Sequence, residues 1–389
     1  MMVVPGQWLG VLGGGQLGRM FCQAAQAMGY RVMVLDPEEE SPTAALADAH
    51  VLGDYDDPES LAELARICLA VTTEFENVPA QSLETLARRT HVAPGARAVE
   101  VVQDRCVEKA FIQAQGVPVA PYAAVNSVAD LQNTPDSLFP GILKVARLGY
   151  DGKGQHRVAS REQAIDAFIR MGEVTCVLEA RLALKAELSV VLARDVQGNS
   201  RVFPVARNVH HEGILAVTHV DGQDNALTQA AISAATRIAE GLGYHGVLCV
   251  EFFVLDDHSL LVNEIAPRPH NSGHFSLNAC STSQFEQQAR VMAGLPLGDT
   301  RLLSPVVMLN LLGDVWLPAP GHDVVEPDWQ SVLALPGTSL HLYGKKEARR
   351  GRKMGHINIT AADMNQAVRV ANEVVTLLNL PVPATVSTL

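Results

Sequence analysis

Along most of the chain, short apolar runs alternate with longer stretches in which apolar residues recur at helical spacing, the signature of an α/β protein. Trp8 to Leu12 reads as a strand, the residues after the Gly13–Gly18 turn through Met28 as a helix stopped by Gly29, and Arg31 to Asp36 as a second strand. Ser60 to Cys68 predicts a helix, Ala70 to Thr73 a strand running into Glu74-Phe75-Glu76-Asn77, and Ser82 to Arg89 another helix. This alternation predicts an N-terminal open parallel α/β domain over residues 1–100. Its polar strand ends belong to a ligand-binding edge.

The alternation then loosens. Asp104 to Gln115 predicts a helix closed by Gly116-Val117-Pro118, and Ala226 to Leu242 a long amphipathic one. Gly141 to Val145, Cys176 to Glu179 and Ala186 to Ala193 read as strands, and Ser283 to Met292 as a helix. His210-His211-Glu212 reads as a polar loop, because it lacks the i, i+4 spacing of a helical zinc site. The last ninety residues change character: Val306 to Leu312 and later short runs predict strands, followed by a helix from Met364 to Leu377.

Two of the apolar runs carry chemistry. Val247 to Leu255 and the run from Leu260 are separated by Asp256-Asp257-His258-Ser259 and predict a hairpin. If it is symmetric about Asp257-His258, Glu251 faces Glu264. Opposed carboxylates repel, and burial raises the pKa of one of them. A hard cation relieves both penalties, and Mg²⁺ is typically held by one or two carboxylates plus phosphates. The alternative is a solvated hairpin whose acids never meet. After Glu264 the chain breaks into Ile265-Ala266-Pro267-Arg268-Pro269-His270-Asn271-Ser272-Gly273-His274, a loop whose polarity suits an anionic substrate.

Glycine-rich stretches add phosphate chemistry. Gly13-Gly14-Gly15-Gln16-Leu17-Gly18, followed by a strand ending in Asp36, fits a dinucleotide fingerprint. It equally fits any tight turn that brings backbone N–H groups to a phosphate. Gly149-Tyr150-Asp151-Gly152-Lys153-Gly154-Gln155 suits a loop folded over phosphates but lacks the ending of a Walker loop. Lys144, on the strand before it, is either an edge gatekeeper or a phosphate contact. Tyr343 to His356 is the one strongly basic run, and its arginines suit a phosphorylated substrate.

Composition narrows the partners. With 389 residues, 48% hydrophobic and 19% charged, the chain is a folded protein of two or three domains. A net charge of -12 argues against a general nucleic-acid or membrane surface. Six scattered cysteines without a Cys-x-x-Cys pair, no basic leader and no membrane-length apolar run predict reduced thiols and a cytoplasmic location.

Together, Gly13 to Met20, Gly149 to Gln155, Asn263 to His274 and Gly351-Arg352-Lys353-Met354-Gly355-His356 resemble the ATP-grasp ligases. Within them they resemble the 5-(carboxyamino)imidazole ribonucleotide synthase family of purine biosynthesis. The resemblance implies an N-terminal α/β domain, a central ATP-grasp region at 101–300 with a mobile lid at about 118–182, and a small β-rich C-terminal domain at 301–389. It implies ATP and Mg²⁺, bicarbonate and 5-aminoimidazole ribonucleotide as substrates, and a homodimer.

Residue by residue, it puts Arg105 and Lys144 on the ATP phosphates under the lid loop Gly149–Gln155. Glu179, Ala180, Arg181 and the Leu182 backbone would form the adenine hinge, although Ala180-Arg181 replaces the Lys-Pro of many relatives. Glu187 and His210 would meet the nucleoside, with Asn263 beside Glu264, and Glu251 and Glu264 would ligate Mg²⁺. Arg268, His270 and Asn271 would line the meeting place of bicarbonate and amine. Tyr150, Lys345 and Arg352 would hold the ribonucleotide. Arg350 stands where relatives commonly carry Pro. Competing expectations are a formate-using glycinamide ribonucleotide transformylase, an NAD-dependent dehydrogenase built on Gly13 to Asp36, and a non-catalytic nucleotide-binding protein.

Overall fold

The computed structural model describes residues 2–149, 154–317 and 324–381. Five parallel strands form the N-terminal sheet in the order Ala49–Leu52, Arg31–Asp36, Trp8–Leu12, Ala70–Thr73, His91–Val92. The chain order reverses between Trp8–Leu12 and Ala70–Thr73, so a crevice opens at their carboxyl ends. The Gly13–Gly18 turn and Glu74 lie there. Helix Gln16–Ala27 stops one residue before its expected end, and Gly29 takes φ +84°.

A separate antiparallel sheet of four strands, in the order Tyr122–Val125, Cys176–Ala180, Gly141–Val145, Gln155–Val158, carries helices Val128–Gln132 and Arg161–Arg170. Its small core holds Leu131, Leu143, Phe168 and Leu178, which is enough apolar surface for a semi-independent unit.

The third sheet is the frame of the molecule. It runs Leu260–Ala266, Gly246–Leu255, Leu184–Arg194, Ala206–His211, Ile214–Val220, Val306–Leu312, Lys353–Thr360, Thr338–Leu342, with Ser200–Val202 paired to Leu184–Arg194. Every pairing is antiparallel. The strands of the last ninety residues therefore do not make a sheet of their own. Met308 pairs with Thr218, continuing the central sheet, and helix Met364–Leu378 covers one face of that extension.

The polar loop expected at His210-His211 is also corrected. Both residues end strand Ala206–His211, and Glu212-Gly213, at φ +52° and +82°, make a two-residue turn into Ile214–Val220. Positive φ at both central residues is what a hairpin turn with the native twist requires.

The C-terminal strands are pinned to the loop after Glu264 by three imidazoles. The His341 and His356 rings stack 4.5 Å apart, His274 lies 4.8 Å from His356, and Tyr343 Oη is 3.0 Å from His356 Nδ1. Burial pushes His274 and His356 well below the ordinary 6.5, and their neighbours' charges deepen the shift. They fold neutral but take up protons when unfolded below pH 6.5, so their stabilisation is complete above 6.5 and is lost as pH falls. As pH falls below 6.5, the urea midpoint of His341→Gln is expected to lose less ground than that of the unaltered chain. An identical pH dependence in the two proteins would contradict this.

Candidate functional site

The hairpin brings Glu251 and Glu264 face to face, and it does so through a compensation. The turn is centred on Asp257 rather than between Asp257 and His258: Leu255 N–H donates to Ser259 O, and His258 takes φ +63°. That one-residue offset is cancelled by a bulge between Glu251 and Phe252 that leaves Asn263 over, restoring the Glu251–Glu264 pair.

Glu251 is buried, with 11% of its side chain exposed. Its pKa is pushed up to about 7, first by burial and then by the charge of Glu264. Glu264 is more open, at 39%. Behind Glu251 runs a polar row across the sheet: Ser189 Oγ donates to its Oε1 at 3.4 Å, Asn208 to Ser189 at 2.5 Å, and Thr218 to Asn208 at 2.9 Å. This row fixes one acid while the other faces the opening. The pair fits a divalent cation, which would offset the repulsion that raises Glu251. No cluster of three or more His, Cys, Asp or Glu among the described residues completes a cage, so remaining ligands would come from phosphates and water.

On one side lie the residues expected for a nucleotide. Arg105, at the first turn of helix Arg105–Ala114, reaches Glu264 Oε2 at 3.2 Å and the Gly149 carbonyl at 3.3 Å. Lys144 meets Glu179 Oε2 at 3.0 Å. Lys109 lies 3.2 Å from the other Glu179 oxygen, off the hydrogen-bond direction, as a contact of charges. Burial opposes ionisation of Glu179, but Lys144 and Lys109 outweigh it and its pKa ends lowered.

The segment expected as the adenine hinge leaves strand Cys176–Ala180 with the Ala180 and Arg181 N–H groups donated to the Pro121 and Pro140 carbonyls, and Leu182 follows. Glu187 Oε2 sits 3.0 Å from His210 Nδ1. Burial disfavours the imidazolium, but the nearby carboxylate of Glu187, with the charges of Glu251 and Glu264, raises its pKa. Of the glycine loop, Gly149 follows strand Gly141–Val145, and Gly154 and Gln155 lie at the start of its partner, where Gln155 pairs with Lys144. Tyr150, Asp151, Gly152 and Lys153 lie outside the described residues.

On the other side, Arg268 Nε donates to Glu76 Oε2 at 2.5 Å. Burial raises Glu76, but Arg268 overrides it and the net shift is downward. His270 Nδ1 accepts from the Ser272 N–H at 3.3 Å, leaving Nε2 as the protonated nitrogen, 3.6 Å from Glu251 Oε1. Asn271 is 7% exposed, and both atoms of its amide lack a protein partner. A buried amide left bare costs free energy unless a ligand or water meets it. Lys345 donates to the Lys353 carbonyl at 2.8 Å, and its charge helps restrain Glu74. Arg352 donates to the Glu347 carbonyl at 2.9 Å.

Sequence reasoning passed over three groups. Lys353 is close enough for its charge to bear on Glu76, Glu251, His270 and His274, although only its neighbour Arg352 was singled out. Glu108 is 2% exposed and accepts the Ile265 N–H at 2.6 Å; burial and then Glu264 push its pKa up to about 8. Lys109 is 1% exposed. Both follow Arg105 in the sequence with no pattern to separate them from a solvated helix face.

Glu74, expected at a ligand-binding edge, instead fills the glycine turn: its carboxylate accepts the N–H groups of Gly15, Leu17 and Gly18 at 2.6, 3.1 and 3.0 Å. Asp36 accepts from Gly14 at 2.5 Å. A Cβ at Gly15 would collide with Glu74, so the glycine is needed for this closure. The donors a dinucleotide pyrophosphate would need are therefore already paired, and the NAD expectation loses its physical basis.

Comparison with known proteins agrees with this geometry. The chain matches the ribonucleotide synthetase preATP-grasp domain over residues 7–103, the ATP-grasp domain over 110–285 and the phosphoribosylaminoimidazole carboxylase C-terminal domain over 306–369. It is 45% identical to N5-carboxyaminoimidazole ribonucleotide synthase of Brucella melitensis, covering 91% of this chain and 96% of that one. It is 42% identical to the Bacillus subtilis enzyme of the same name, with 92% of both chains covered. Its fold matches the Aspergillus clavatus synthase solved with ADP and 5-aminoimidazole ribonucleotide with a TM-score of 0.86 at 30% identity, covering 96% of this chain and 98% of that one. These matches run through all three sheets and both sides of the carboxylate pair, and the chain belongs to the N5-carboxyaminoimidazole ribonucleotide synthase family of ATP-grasp ligases.

Proposed function

We propose that the chain carboxylates the amine of 5-aminoimidazole ribonucleotide, using ATP and bicarbonate, in purine biosynthesis. The observation that carries this reading is the continuity of one segment. Glu264, paired with Glu251 and Arg105, is followed within seven residues by Arg268, His270 and the bare amide of Asn271. A phosphoryl donor at the first group and an acceptor at the second would share one pocket.

Bicarbonate oxygen would attack the γ-phosphorus, releasing ADP and forming carboxyphosphate. The ribonucleotide amine would then take the carboxyl carbon, or CO₂ released from it, with phosphate leaving and the amine proton lost. Phosphoryl transfer of this kind depends on positioning and charge neutralisation. Arg105 and Lys144 would bind the phosphates, and Arg268 would offset charge on bicarbonate. Glu187 and His210 would meet the nucleoside, the Leu182 backbone the adenine, and the loop Gly149–Gln155 would cover the phosphates and exclude water. Glu251 and Glu264 would hold Mg²⁺, which when bound neutralises phosphate charge. The chain would act as a homodimer in the cytoplasm. Among the described residues no helix is long and apolar enough to cross a membrane.

ADP release that requires both bicarbonate and 5-aminoimidazole ribonucleotide is the expected result. Release with formate and glycinamide ribonucleotide instead would overturn the reading. Lys345, Lys353 and Arg352, with Tyr150, would hold the ribonucleotide. Arg352→Ala and Lys353→Ala are each expected to raise the KM for the ribonucleotide about tenfold, the loss of one charge-assisted phosphate contact. A selective rise in the KM for ATP would show that the basic run serves the nucleotide.

A further inference from the structure

Gln284 is fully buried at the start of helix Gln284–Ala293, outside both halves of the pocket, and it makes an unusual set of bonds. Its Oε1 accepts the His270 backbone N–H at 2.9 Å. Its Nε2 donates to the carbonyl of the same residue at 2.7 Å and to His274 Nδ1 at 3.0 Å. One side-chain amide thus closes both backbone groups of His270, as a neighbouring strand would. The network allows only one orientation of the amide, because an N–H and a carbonyl on the same residue demand opposite partners.

The interlock is reciprocal. The Gln284 backbone N–H donates to Ser276 Oγ at 3.0 Å, and Ser276 donates to the Gly273 carbonyl at 2.6 Å. A Cβ on Gly273 would sit 2.5 Å from Gln284 Oε1, so the glycine leaves room for the amide. One turn along the same helix face, Gln288 donates to Thr72 Oγ1 and the Ala93 carbonyl, both at 3.0 Å, and accepts the Val247 N–H at 2.6 Å. The helix therefore references the His270 loop to the N-terminal sheet and to the strand that carries Glu251.

We propose that Gln284 is a positioning residue that acts through His270, fixing its backbone so that the ring stays aimed between Glu251 and the acceptor. This rests on the proposed placement of His270 in the reacting pocket. Gln284 touches no substrate; it sets the position of a residue that does. Misplacing a pocket residue by about 1 Å can cost on the order of 10²-fold in rate.

The test is a double-mutant cycle with Gln284→Met, which keeps the volume and removes the three bonds, and His270→Ala, followed by ADP release. Gln284→Met alone is expected to lower kcat at least about tenfold while leaving the KM for ATP within about twofold. In the His270→Ala background the same change is expected to cost less than about twofold, since the residue it acts through is gone. Multiplicative losses, or Gln284→Met turnover equal to the unaltered chain, would overturn the proposal. His270→Ala with unaltered turnover would instead overturn the placement of His270, and the proposal with it. Retention of the rise in Tm on adding Mg-ATP shows that each variant is folded. If Gln284→Met fails that check, Gly273→Ala, which displaces the amide without removing it, enters the same cycle under the same criteria.

Discussion

Glu264→Gln is expected to abolish ribonucleotide-dependent ADP formation, with a loss of about 10³-fold or more in kcat. The change is nearly isosteric, so packing is kept and only charge and oxygen donation are altered. Glu264 faces Glu251 across the hairpin and meets Arg105 at 3.2 Å, so it stands between the proposed nucleotide side and the proposed acceptor side. An amide leaves Arg105 without its carboxylate and leaves a cation with one anionic ligand in place of two. It also removes the second cause of the raised Glu251 pKa, so Glu251 should ionise at lower pH than in the unaltered chain. Activity regained at high Mg²⁺ would still agree with metal ligation, because it reports weakened binding. Turnover equal to the unaltered enzyme at ordinary Mg²⁺ would remove Glu264 from the mechanism.

How much of this was readable beforehand depends on the range of each interaction. The strands Trp8–Leu12, Arg31–Asp36, Ala70–Thr73, Gly141–Val145 and Val306–Leu312 fall where local pattern put them, since a short apolar run bounded by turn residues is a local signal. The Glu251–Glu264 pair was also legible, because a hairpin couples neighbours in the chain. Even so, the bulge at Asn263 had to cancel an unforeseen shift in the turn.

Long-range pairings left no such trace. Nothing near Gly15 announces that Glu74 will fill its turn, so the glycines read as an open phosphate cradle. Nothing in Val306–Leu312 says that it will extend the central sheet and not found another. Glu108 and Lys109 looked like ordinary helix surface until the fold buried them against Ile265 and Glu179. The hairpin turn at Glu212-Gly213 was missed for a different reason: Glu is a poor signal for positive φ, and only the glycine hinted at it.

Arg268 separates the fold from the chemistry most sharply. Its side chain is 18% exposed, and its Nε donates to Glu76, a residue of the N-terminal domain. The same guanidinium restrains Glu74, which burial pushes upward. Arg268→Met leaves these half-buried acids without their cation; removing one partner of a fully buried pair costs about 3 kcal/mol or more, and this part-buried pair should lose somewhat less. A clear fall in Tm is therefore expected along with loss of activity. Arg268→Lys divides the two effects. A lysine restores a positive charge near Glu76, so Tm should recover most of the way. It cannot keep the Nε contact while presenting a planar fork to a bicarbonate or acyl-phosphate group. We expect kcat for the Lys variant to remain about 10²-fold below that of the unaltered chain, the scale of losing one preorganised charge contact in a transition state. Recovery of both Tm and turnover in Arg268→Lys would mean that the guanidinium serves only to join Glu76 to the central sheet. Recovery of Tm alone places it where bicarbonate reacts.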